Sequence, residues 1–144
     1  MDAMHAVTAP VDALTTWLDG QCPTGVVGYA RVAPATVSAV DGWFLVGEAD
    51  GHGDRYGLPM AGDSTAVLVV DVTACGRTAA LALALSDLLD ERLLARAGTG
   101  AWVHTPDTGA GLTVIDRSGE RGPVDVAGGI AQRAGRYRLT VHRT

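Results

Sequence analysis

The segment Thr65–Thr73 constrains the fold more than any other part of the chain. It reads Thr-Ala-Val-Leu-Val-Val-Asp-Val-Thr, and β-branched residues at this density fit a pleated sheet better than a helix. Its apolar residues are consecutive instead of alternating, so it is expected to be a central strand with both faces covered. The next segment has a different period. From Thr78 to Ala97, Leu81, Leu85, Leu88 and Leu89 share one face of a helix, and its first half, apolar nearly all round, is expected to be buried. Asp87, Asp90 and Glu91 precede Arg92 and Arg96, an order that suits the helix dipole, and Gly98 ends the helix.

The remaining elements are placed around this pair. Val11, Leu14, Trp17 and Leu18 fall on one face of a short N-terminal helix, with Thr8 as cap, Pro10 in the first turn and Gly20 as terminator. Strands are expected at Val26–Val32, Thr36–Val40 and Trp43–Glu48, the last two joined by Asp41-Gly42, whose residues accept the positive φ of a tight hairpin. A second turn, Asp50–Asp54, leads into Arg55–Met60, and this part reads as an antiparallel meander. Ala101–Thr105 and Leu112–Asp116 form a hairpin around Pro106–Gly111. A polar loop, Arg117–Pro123, then leads through Val124–Val126 and a Gly128-Gly129 break to a strand at Tyr137–His142. The fold class is α+β: one domain over 1–144, with a curved, mainly antiparallel sheet packed by a short N-terminal helix and one long Leu-rich helix.

Composition narrows the function classes. The chain has 144 residues, 47% hydrophobic and 19% charged, which suits a compact fold and disfavours disorder. All 11 basic residues are Arg, so Schiff-base chemistry, a phosphate-loop Lys and a Lys base are excluded. A net charge of −5 repels phosphate backbones and anionic lipids, so neither nucleic acid nor a membrane is expected as a partner. Cys22 and Cys75 have no metal-site spacing and read as free thiols. Met1–Pro10 lacks the basic start of a signal peptide, and the longest apolar runs fall short of a membrane span, so a cytoplasmic location is expected.

Few residues carry a chemical signal. His52 with Asp50 and Asp54 sits on a Gly-rich turn that has the donor types for a divalent cation, but it lacks the downstream Glu of a calcium loop and reads more readily as a solvated turn. No His pair has helical metal spacing, and His104 reads as a half-buried strand residue. Ser38, Ser64, Ser86 and Ser118 lie in no nucleophile-elbow pattern. Ala127-Gly128-Gly129 leads to a strand rather than to a helix N-terminus, so it is a weak phosphate cradle. Arg133, Arg136 and Arg138 read either as phosphate contacts or as edge-strand charges. Trp17, Trp43 and Trp102 sit on apolar faces, as core or partner-surface anchors more than as a sugar platform. His52, Asp54, Trp43 and Trp102 are therefore the candidate ligand-binding residues; no catalytic residue, metal site or cofactor is expected.

Several segments together resemble the N-terminal cap domain of the maltokinase and aminosugar-kinase family. They are Leu14-Thr15-Thr16-Trp17-Leu18, Trp43-Phe44-Leu45-Val46-Gly47-Glu48, Asp54-Arg55-Tyr56-Gly57-Leu58-Pro59-Met60 and the Leu-rich helix at Leu85–Leu94. The tail Arg136-Tyr137-Arg138-Leu139-Thr140-Val141-His142-Arg143 is similar to the first kinase-lobe strand, within a stretch, 124–144, that resembles the lobe's opening. The resemblance places the family's nucleotide loop at Asp125–Ile130, where its polar positions read Val126, Ala127, Gly128, Gly129 and Ile130, and puts Thr140 where the family has its phosphate-binding Lys. It therefore implies a stand-alone cap without catalytic machinery. Such a module would bind a separate kinase or another enzyme of sugar metabolism, or self-associate. Apart from the resemblance, a plain structural homodimer through an exposed edge strand such as Tyr137–His142 is a further reading. The alternative is a small-molecule or metal-binding domain built on the Asp50–Asp54 turn.

Overall fold

A computed structural model describes residues 3–34, 42–49, 65–95, 103–104 and 111–142. Two helices and seven strands succeed one another in the order α1 (Ala3–Gln21), β1 (Val26–Ala30), β2 (Gly42–Glu48), β3 (Thr65–Gly76), α2 (Ala79–Leu94), β4 (Val103–His104), β5 (Gly111–Arg117), β6 (Asp125–Ala127) and β7 (Ile130–His142). All strands belong to one sheet of order β1-β2-β3-β7-β5-β4, with β6 paired to the start of β7. The class is α+β, as the sequence indicates. The Thr36–Val40 strand with its Asp41 turn, the Arg55–Met60 strand and the Pro106–Gly111 turn up to Ala110 lie outside the described residues.

Both helices lie on one face of the sheet. From α1, Val11, Leu14 and Leu18 are fully buried; from α2, Leu85, Leu89 and Leu93 join them. The sheet contributes Phe44 and Val46, Leu68, Val70, Val72 and Ala74, and Tyr137 and Leu139 to the same core. The period-2 alternation of β3 and β7 accounts for this set, since every second side chain points to the helices. α1 packs against β1 and β2 at one end of the sheet and against β4 at the other, so the sheet curls around it and the helix spans the opening between the two edge strands.

Several expectations need correction. β1 and β2 run parallel, with Val27 opposite Trp43, so this part is not an antiparallel meander. Parallel neighbours require a crossover connection in place of a tight hairpin. β3 is central, between β2 and β7, but only its helix-side face is fully covered: Val67, on the other face, is 56% exposed. α2 begins where expected, and Thr78 caps it: its hydroxyl accepts from Leu81 N at 3.2 Å. Its first half is not buried all round, because Leu83 faces solvent. α1 is the longer helix, 19 residues against 16, and runs through Thr8 and Pro10 instead of starting there.

β7 is no edge strand. β3 pairs it from Ala131 to His142 on one side, while β6 and then β5 pair it on the other. Between those two, Gly122 N bonds Ala134 O at 2.9 Å and Ser118 N bonds Arg136 O at 2.7 Å, so the 118–122 loop completes that edge. Gly128 (φ +60°) and Gly129 (φ +77°) form the tight turn of the β6–β7 hairpin. Positive φ at both positions is what a primed two-residue turn demands, and glycine meets it without strain.

Candidate functional site

Of the four candidate ligand-binding residues, His52, Asp54 and Trp102 lie outside the described residues. Trp43 is buried on the sheet face opposite the helices, where Cys75 stands across the strand pair and Val27, Tyr29 and Ala33 pack around it. It is a core residue of that face.

The charged side chains that do converge are ones the sequence reading did not single out together. On α2, Ser86, Asp87 and Asp90 turn toward the 117–122 loop and β7. Arg117 Nη1 donates to both Asp90 oxygens at 2.8 Å, and the Tyr137 hydroxyl donates to Asp90 Oδ1 at 2.7 Å. Arg121 Nη1 bonds Ser86 Oγ at 3.0 Å and Asp87 Oδ1 at 2.8 Å, and Arg133 Nη1 stands 3.8 Å from the same Asp87 oxygen. Only the Ser86/Asp90 spacing, four residues along α2, shows one side of it in the sequence.

Electrostatics fix the protonation of this network. Burial pushes the Asp90 carboxyl up, but hydrogen bonds from Tyr137 and Arg117 outweigh it and hold Asp90 below the usual aspartate range. Burial first, and the hydrogen bond to Asp90 second, push the Tyr137 hydroxyl well above its ordinary value. Asp90 thus stays an anion and Tyr137 a donor at neutral pH, an arrangement suited to fastening α2 to the sheet and poorly suited to proton transfer. Among the described residues, no three His, Cys, Asp or Glu side chains form a group that could hold a metal ion.

The face away from the helices carries two cross-strand ion pairs. Arg136 on β7 bonds Asp71 on β3, with Nε 2.9 Å from Oδ1, and Arg138 bonds Asp116 on β5 through both carboxylate oxygens. These residues stand directly opposite one another in the sheet register. Arg136 and Arg138 are therefore matched charges within the sheet and not a phosphate cradle.

Hydrogen bonding also differs among the sheet edges. On the outer side of β1, Val26 N bonds Pro23 O at 3.2 Å and Gly28 N bonds Asp19 Oδ1 of α1 at 2.9 Å. Just beyond, Val32 N bonds Ala30 O at 2.8 Å across Arg31, a γ-turn with φ +70°. Local bonds of this kind blunt an edge against further strands. β6 is different. Among the described residues it pairs with β7 alone, all three of its residues are exposed, and its hairpin displays Val126 (62% exposed) and Ile130 (38%).

No protein-family model matches the chain, and no curated protein matches it. A solved structure whose name states no function superposes on it with a TM-score of 0.58 and 13% sequence identity, covering 94% of this chain and 92% of that one. The likeness is one of fold. Among the described residues no helix is long and apolar enough to cross a membrane.

Proposed function

We propose that the chain is a non-catalytic protein-interaction module that works by associating with further copies of itself. The observation that carries this reading is the β6–β7 hairpin, which holds Val126 and Ile130 in solvent while the main core is complete without them. Exposed valine and isoleucine side chains gain free energy when a second surface covers them. Two further features support it. The ionisable cluster on α2 is satisfied internally, with each carboxylate facing an arginine. On the helix-free face Arg136 and Arg138 are matched by Asp71 and Asp116, so these four groups bring no net charge to repel an identical copy.

The maltokinase-cap resemblance adds a setting, a regulatory role beside a sugar kinase, and that setting rests on the quoted segments alone. Sedimentation equilibrium of the purified chain over micromolar to millimolar concentrations tests the reading. Reversible association is expected, and a monomer at every concentration contradicts it. Titration with ATP and Mg²⁺ tests the non-catalytic part: no binding is expected, and micromolar affinity contradicts it.

A further inference from the structure

We infer that two copies join edge to edge through β6, antiparallel and centred on Val126, so that their sheets become continuous; this rests on the self-association reading above. Strand geometry supports it first. In a hairpin closed by a two-residue turn, the flanking pair exchanges both backbone hydrogen bonds and the next pair exchanges none. Here the flanking pair is Ala127 and Ile130, and the next is Val126 and Ala131. The Val126 N–H and C=O therefore point away from β7, in the plane of the sheet. The bonds accepted by Ala134 O and Arg136 O agree, since these even-numbered residues of β7 also face the β6 side.

Self-complementarity supports it next. A two-fold contact must be satisfied by the same surface on both copies. Centring it on Val126 lets that residue donate to and accept from the partner's Val126, which uses both outward groups. The same register sets Asp125 opposite the partner's Ala127, so the two aspartates do not oppose each other. Val126 side chains, 62% exposed in the single chain, then meet across the junction. A shift by one residue in either direction would turn inward-bonded groups of β6 toward the partner and lose the pairing.

The state of two other edges points the same way. The outer amides of β1 at Val26 and Gly28 are already bonded within the chain, and the gap beside β7 is filled by the 118–122 loop. A strand as short as β6 buries far less than the roughly 1,200–2,000 Å² of a tight complex, so the expected association is weak and rapidly reversible.

Three β6 variants and a control, measured by sedimentation equilibrium and by concentration-dependent NMR shifts, test this. Val126→Pro removes the outward N–H without touching a bond to β7, a position where an edge strand tolerates proline. It is expected to weaken association by about tenfold or more, with the monomer's fold intact by circular dichroism. Ala127→Asp places like charges across both ends of the junction and is expected to weaken it severalfold, whereas Ala127→Arg faces Asp125 of the partner subunit and is expected to tighten it. Val67→Ser, on the open face of β3, is the control and is expected to leave it unchanged. An association that none of the β6 variants alters, or that Val67→Ser abolishes, overturns this inference and leaves the self-association reading standing. A wild-type chain that stays monomeric overturns both.

Discussion

The phenolic hydroxyl of Tyr137 lies 2.7 Å from Asp90 Oδ1, and this bond ties the middle of β7 to α2. Tyr137 is among the largest fully buried side chains, so its polar end depends on that partner. Tyr137→Phe is expected to lower stability by about 1–2 kcal/mol, because Asp90 loses a donor but keeps Arg117. Asp90→Ala is expected to cost more, about 3 kcal/mol, since it leaves both a buried hydroxyl and a guanidinium without their acceptor. Urea denaturation at pH 7 measures both, and the order Asp90→Ala worse than Tyr137→Phe is the checkable result.

Acid should act through the same carboxylate. The folded carboxyl of Asp90 lies below its unfolded value, so the unfolded chain binds more protons in the acid range. The stabilisation is then fully present above about pH 4, the unfolded aspartate range, and is lost as pH falls through the lower folded pKa. Urea midpoints from pH 7 to pH 2 should fall in wild type. Part of that fall should be missing in Asp90→Asn. Equal pH slopes for the two proteins would contradict the assignment.

Gly28 on β1 stands opposite Phe44, and a Cβ built on Gly28 would meet the ring at 2.2 Å. The ring is fully buried in the main core and has nowhere to retreat. Gly28→Ala is therefore expected to destabilise by about 1–3 kcal/mol, an overpacking cost. Adding Phe44→Leu should recover part of it, which thermal melting of the double variant would show.

The two cysteines should react slowly. Burial, with the Asp19 carboxylate adding to it, pushes the Cys22 thiol up to about 11, and burial alone pushes Cys75 to about 11. Thiolates are the reactive form, so both should resist a disulfide reagent at pH 8 in the native state and react at once in urea. Rapid native-state modification of both would contradict this environment.

Arg31 holds a φ of +70° while its guanidinium bonds Glu48 Oε1 at 2.6 Å and stands 3.5 Å from Asp12 Oδ1. Arg31→Ala removes the ion pairs and keeps the strain, whereas Arg31→Gly removes both. The glycine variant is expected to be the more stable of the two by about 1 kcal/mol in urea melts.

The sequence was legible where information is local. Val11, Leu14 and Leu18 and the β-branched run in β3 each announce their element through spacing or side-chain shape. The parallel pairing of β1 with β2 is not local: Val26–Ala30 and Gly42–Glu48 have the same strand signature whichever way the chain returns. Tyr137–His142 reads as a charged edge because Arg136 and Arg138 carry charge, yet Asp71 and Asp116, distant in sequence, neutralise them inside the sheet. The Asp90 network was hidden for the same reason, since nothing near Asp90 in the chain points to Tyr137 or Arg117. The Trp43 ring suggests a ligand platform from the sequence, and its burial against Cys75 shows why an aromatic residue alone does not mark a binding site.

The outward-facing Val126 amide is the point at which two copies would meet, and its N–H can be watched on its own. Hydrogen exchange of that amide by NMR, followed from dilute to millimolar protein, reads the junction without any substitution. Exchange at Val126 should slow as concentration rises while the Gly128 amide in the turn is unchanged. A Val126 amide that exchanges equally fast at every concentration would show that β6 is not where copies join.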